Sequence, residues 1–205
     1  MTQSTGPASS SVFNPTHAVA APNDWREKVM HKCRESVEVK EKFFDRYADA
    51  IGELAQKMAD RFRDGHKLWV LGNGGSACDA QHIAVEFVHP IIEKRRALPA
   101  FDLVSQVPVL TAISNDKDYA RIFVDQIALW GQPGDMVIAI STSGNSPNLI
   151  YALEEARPRG LLTIAFSVKM ADAWQTLQST VPRCPVIAFT AFRNRMLPCY
   201  TSCGT

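Results

Sequence analysis

The chain has 205 residues, 46% apolar and 21% charged, which suits one domain with a real core and some length left for a tail. Lys plus Arg total 22 against 21 Asp plus Glu, so a net charge of +1 excludes capture of nucleic acid or an acidic membrane by bulk charge. No apolar run approaches the about 20 residues that span a bilayer.

Residues 1–23 are rich in Ser, Thr, Pro and Ala, with neither a basic start nor a continuous apolar stretch. They are expected to be a disordered leader rather than a signal peptide. Asn23 or Asp24 can cap a helix starting near Trp25. Apolar residues then recur at Val29, Cys33, Val37, Phe44, Tyr47, Ile51, Leu54, Met58 and Phe62, close to a helical period. One long amphipathic stretch, or a pair of helices broken near Val39, is expected, with Gly65 as the terminating residue. This stripe exceeds what one small sheet can cover, so part of it is expected to pack on another subunit.

Lys67-Leu-Trp-Val-Leu71 reads as a buried strand and runs directly into Gly72-Asn-Gly-Gly-Ser-Ala77. A helix follows over 76–88, then an extended segment near 98–103 and a short helix near 107–113. Asn115-Asp116 pass as a turn-forming pair, and the next helix runs from about Asp118 to Trp130. Gly131 and Gly134 break that pattern before a second strand, Asp135-Met-Val-Ile-Ala-Ile140. It runs into Ser141-Thr-Ser-Gly-Asn-Ser146, with Pro147 at the first position of another helix. Leu161–Phe166 is the next strand. Strands alternate with helices throughout, so a doubly wound parallel sheet preceded by a long helical segment is the consistent fold, in 24–166.

The two loops carry the chemistry. Each joins a strand to a helix with glycines, serines and backbone N–H groups at the helix amino end, where a phosphate is favoured by unpaired donors and the dipole. The bland account of Ser141–Ser146 is helix capping, but three serines and a threonine exceed what a cap needs. His82 and Glu86 are spaced i, i+4 on one face of the first motif helix. Such a pair can transfer protons or supply half of a metal site; bare, it is more often a surface contact. His66 is expected to face solvent, His89 to cap a helix end, Glu93–Arg96 to be a solvated loop, and Cys78 to be a small buried residue. Five cysteines without a C-x-x-C pair suit reduced thiols in a cytoplasmic protein.

The pattern fails after Phe166. Residues 167–205 show no helical period, carry Cys184, Cys199 and Cys203, and are interrupted by Pro182, Pro185, Pro198 and Gly204. They are too apolar for a solvated tail, with Val186, Ile187, Phe189, Phe192, Met196 and Leu197. Back-translation of Thr190–Thr205 shifted by one base permits HRIQESHVALLHILWD, which has a clean helical period. One base lost near Ser167 accounts for this, and the segment as written is expected to form neither a final strand nor a final helix.

Gly72-Asn-Gly-Gly-Ser-Ala-Cys-Asp-Ala-Gln-His-Ile-Ala-Val-Glu86, Asn115-Asp116 and Ser141-Thr-Ser-Gly-Asn-Ser146 resemble the sugar isomerase (SIS) domain family, and within it the phosphoheptose isomerases. The resemblance covers roughly residues 25–166. It implies a flavodoxin-like fold, a homotetramer, and conversion of sedoheptulose 7-phosphate to a heptose 7-phosphate for lipopolysaccharide. It also implies that Asn73, Gly74, Gly75, Ser76, Glu86, Asn115, Asp116, Ser141, Thr142, Ser143 and Ser146 line the sugar-phosphate site. Glu86 would be the acid/base, and His82 with Glu86 would help hold zinc in some members, beside a Gln and a His of the last helix. Arg193 and Thr201 stand at those two positions here, although the shifted frame restores both partners. The alternatives are a non-catalytic member with a regulatory role, such as binding a replication initiator, and an inactive product.

Overall fold

The computed structural model describes residues 22–90, 95–167 and 186–188. The disordered-leader expectation for 1–21 and most of the tail, including Arg193 and Thr201, lie outside the described residues. Four apolar runs form parallel strands: β1 (Leu68–Gly72), β2 (Ala100–Asp102), β3 (Met136–Ser141) and β4 (Leu162–Ser167). A fifth, β5 (Val186–Ala188), pairs with β4. The strand order is β2-β1-β3-β4-β5, all parallel. The chain steps from β1 to β2 on one side and returns to place β3 on the other, so the strand order reverses between β1 and β3. In open α/β sheets that reversal creates the crevice where ligands bind.

The central strands β1, β3 and β4 are largely buried. Leu68, Val70, Leu71, Met136, Val137, Ala139, Ile164 and Ala165 lose all solvent exposure, as expected of strands covered on both faces. Between them run α2 (Gly75–Val88), α3 (Val107–Asp116), a 3-10 turn (Tyr119–Arg121), α4 (Val124–Trp130) and α5 (Pro147–Ala156). Right-handed crossovers put α4 and α5, which touch, on one face and α2 on the other. Asp135 holds the amino ends of β1 and β3 together. Its carboxylate, only 2% exposed, accepts from Lys67 N at 2.9 Å, Trp69 Nε1 at 3.0 Å and Gln132 N at 3.1 Å.

Several expectations need correction. Helix α1 is a single element, Pro22–Arg63, with no break near Val39. The β-branched residues there lower helix propensity only slightly, and the Lys32–Glu35 and Lys42–Glu38 pairs support the turns on either side. Asn23 and Asp24 lie inside its first turn rather than before it. Gly65 ends the helix region with φ 88°, as the glycine signal indicated. The helix predicted over 118–130 is divided into the 3-10 turn and α4, because Asp118 is extended and caps the turn through Ala120 N at 2.6 Å. The tail does contribute a strand at Val186–Ala188, a β-branched apolar run that satisfies the otherwise open edge of β4.

His66 is not simply solvent-facing: its ring packs against the Gly134 backbone and its Nδ1 lies 3.9 Å from Asp135. Arg95 and Arg96 are exposed, as expected of a solvated loop, and the Arg95 guanidinium donates to the Glu86 and Phe87 carbonyls at the end of α2. Cys78 is exposed rather than buried. The helix period of α2 sends Ala80 and Ala84 inward instead. His89 does cap α2, through its backbone N–H to Val85 O at 2.7 Å.

Candidate functional site

The carboxyl ends of β1 and β3 lie side by side, with Leu71 opposite Ala139 and Gly72 opposite Ile140. The two serine loops therefore emerge together at the point where the strand order reverses. Gly72 allows the first turn of α2 to fold back onto β1, since a Cβ there would collide with the Ser76 backbone. Gly74 takes φ 53°, which a side chain would strain. Neither helix is capped by a side chain: Gly74 occupies the α2 cap, and Ser146 at the α5 cap makes no capping hydrogen bond. Two helix amino ends thus open into one crevice, the arrangement that favours an anion.

The second loop is held by its own hydroxyls. Ser141 Oγ is buried and accepts from Gly144 N at 3.0 Å, with Ser146 Oγ 3.4 Å away. Ser143 Oγ accepts from Asn145 N at 3.2 Å. The Thr142 and Ser143 residues are exposed, while Ser76 in the first loop is buried at 2% exposure. The simple capping account of Ser141–Ser146 therefore fails on geometry, because the Ser146 hydroxyl turns toward Ser141 and not to the helix.

Asn115 and Asp116 are the last two residues of α3 and not a turn. Both are exposed, and Asn115 Nδ2 donates to Asp116 Oδ1 at 2.9 Å. Just beyond them the chain is pinned to α4, where Asp125 accepts from Lys117 at 2.6 Å and from Arg121 at 2.7 Å. The Lys117 hydrogen bond, with Arg121 beside it, holds the Asp125 carboxyl below its ordinary range against the opposing effect of burial. Two residues unmarked by sequence reasoning join the site here. Tyr119 donates to Asn73 Oδ1 at 3.0 Å, and Asn148 exchanges two hydrogen bonds with the Asn73 amide. Asn148 follows Pro147 in a helix first turn, and nothing in its local sequence distinguishes it from a solvated polar residue.

His82 Nε2 lies 3.3 Å from Glu86 Oε1 on an accessible face of α2. His82 is the only hydrogen-bonding partner of that carboxylate among the described residues. A protein zinc site uses three or four ligands. His82 and Glu86 supply two, and no group of three or more suitable side chains occurs among the described residues. The described residues by themselves do not complete a zinc site.

A sheet ordered β2-β1-β3-β4-β5, with two glycine- and serine-rich loops at its reversal point, defines an α/β domain whose carboxyl edge has the crevice geometry of ligand-binding open sheets. The chain belongs to the SIS domain family, which matches residues 33–167. A phosphoheptose isomerase of Thermodesulfovibrio yellowstonii is 47% identical over 146 residues, 71% of this chain and 73% of that protein. The structure of a phosphoheptose isomerase from Francisella tularensis is 30% identical with a TM-score of 0.70, covering 75% of this chain and 80% of that one. That of the Neisseria gonorrhoeae phosphoheptose isomerase is 29% identical with a TM-score of 0.68, covering 80% and 84%. Among the described residues no helix is long and apolar enough to cross a membrane.

Proposed function

We propose that this chain is an aldose–ketose isomerase core that interconverts sedoheptulose 7-phosphate and a heptose 7-phosphate. The observation that carries the proposal is the convergence of two uncapped helix amino ends on one crevice. Asn73–Ser76 and Ser141–Ser146 hold the phosphate there, and Asn115 and Asp116 meet sugar hydroxyls from the neighbouring helix end. Glu86 removes the proton beside the substrate carbonyl, an enediol forms, and the proton returns to the adjacent carbon. Glu86 lies about 15 Å along α2 from Ser76, so the base stands apart from the phosphate loops.

Isothermal titration with sedoheptulose 7-phosphate tests the loops. The wild-type chain is expected to bind, and the double variant Ser76→Ala, Ser143→Ala to lose at least about 10-fold in affinity, from two hydrogen bonds to a charged group. Equal affinity in both would refute the phosphate cradle.

The active form is a homotetramer built through α1. Leu54, Met58 and Phe62 of α1 enter the core and Phe43, Tyr47 and Ile51 pack partly against it, whereas Trp25, Val29, Met30, Val37 and Phe44 stay exposed. An apolar stripe of this length on a free helix marks an interface. Light scattering is expected to give four subunits at micromolar concentration; a stable monomer would remove α1 from the account.

The segment after Ser167 is read out of frame. The loss of helical period after Phe166 and the helical period of the shifted frame support this. Zinc binding, by the same proposal, belongs to the restored chain, in which a Gln and a His return beside His82 and Glu86. The protein works in the cytoplasm, where its phosphorylated substrate is made and its thiols stay reduced.

A further inference from the structure

We infer that Asn148 and Tyr119 are positioning residues that set the spacing of the two phosphate loops by fastening Asn73. The inference rests on the proposed phosphosugar site and concerns how that site keeps its shape. The β1–β3 ladder ends at Gly72 opposite Ile140, so beyond that point backbone pairing no longer sets the distance between the loops. The next tie is an amide ring. Asn73 Nδ2 donates to Asn148 Oδ1 at 2.9 Å, and Asn148 Nδ2 donates back to Asn73 Oδ1 at 2.8 Å. Tyr119 Oη, from the segment after Asn115 and Asp116, gives Asn73 Oδ1 its second hydrogen bond at 3.0 Å. One side chain in the first loop is thereby bound to the helix of the second loop and to the third segment of the site.

The donor inventory then constrains Asn73 itself. An amide oxygen accepts two hydrogen bonds, and both are taken; one N–H of Nδ2 remains. Asn73 therefore contributes position, one side-chain N–H and its backbone to a ligand, and cannot accept from a sugar hydroxyl through its side chain. Asn148 is 1% exposed and sits behind the loops, out of a ligand's reach. Tyr119 is 55% exposed, so losing its hydroxyl leaves the core untouched. An anion bridging two helix ends needs their separation held within about 0.5 Å, and a reciprocal amide pair, part-buried and anchored on the buried Asn148, is stiff enough to do this.

The test uses Tyr119→Phe and Asn148→Ala in the full chain, with two measurements. In ligand-free protein, amide hydrogen exchange at Ser76, Ala77, Gly144 and Asn145 is expected to quicken about fivefold or more in each variant, while strands β1 and β3 exchange as in wild type. With sedoheptulose 7-phosphate, affinity is expected to fall about fivefold in Tyr119→Phe at an unchanged thermal midpoint. Exchange unchanged in Tyr119→Phe, or quickened equally through β1 and β3, overturns the inference, the second because it shows a general structural role. Should Asn148→Ala fail to fold, Tyr119→Phe decides alone. A wild-type chain that binds no phosphosugar defeats the proposed function, yet the exchange measurement still decides the positioning role.

Discussion

Restoring the reading frame after Ser167 is expected to raise turnover of sedoheptulose 7-phosphate by about 10²–10⁴-fold over the chain as written, the usual worth of a positioned proton-transfer group. Glu86 reaches only His82 among the described residues, and moving a proton between two carbons calls for a partner that relays or returns it. The shifted frame places a Gln and a His where Arg193 and Thr201 now stand, on a segment with a clean helical period. As written, the tail pairs with β4 over three residues, Val186–Ala188 against Ala165–Ser167, and restoring the frame replaces those three residues as well. Two variants carrying the restored frame, one complete and one with its His replaced by Ala, separate catalysis from folding. Matching turnover in the written and restored chains would show that the tail carries no catalytic weight.

Replacing the Asp135 carboxylate is expected to be the most damaging single change to the fold. Asp135→Ala strips the acceptor from Lys67 N, Trp69 Nε1 and Gln132 N together, at a residue 2% exposed. Each buried donor left unsatisfied costs about 1–3 kcal/mol, and partial relaxation keeps the total near 3–5 kcal/mol. Urea unfolding, followed by the fluorescence of Trp69 and its stacked neighbour Trp130 (ring centroids 6.1 Å apart), measures it. Asp135→Asn keeps one acceptor oxygen and should lose less. The residue lies at the opposite end of the sheet from the serine loops, so the folded fraction should bind phosphosugar normally. A loss below about 1 kcal/mol in Asp135→Ala would mean that water replaces the carboxylate and that Asp135 does not clamp the strands.

The parts of the fold legible in the sequence were those governed by short-range physics. Apolar strand runs, glycine at a positive φ after α1, and loops rich in glycine and serine all act within a few residues, and the structure places them as expected. The long-range parts were not legible. Nothing between Ser36 and Lys40 tells one continuous helix from two, because β-branched residues shift propensity by tenths of a kcal/mol and the outcome depends on the whole helix. Asn115-Asp116 has turn composition yet ends α3, where Lys117 N still bonds Ile113 O at 3.0 Å. Cys78 and His66 were misjudged for the same reason: burial depends on which face of an element meets a neighbour. Tyr119 and Asn148 reach Asn73 from 46 and 75 residues away, a proximity that only the reversed strand order creates.

The most direct test of the isomerase assignment is proton exchange on the substrate. Sedoheptulose 7-phosphate incubated in deuterium oxide with the frame-restored chain should gain deuterium at the carbon beside the carbonyl, seen by proton NMR. The Glu86→Gln variant should bind the sugar yet exchange at least about 100-fold more slowly. Deuterium entering equally fast in Glu86→Gln would remove Glu86 from the chemistry. Neither exchange nor aldose product from the restored chain at saturating substrate would contradict the isomerase account itself.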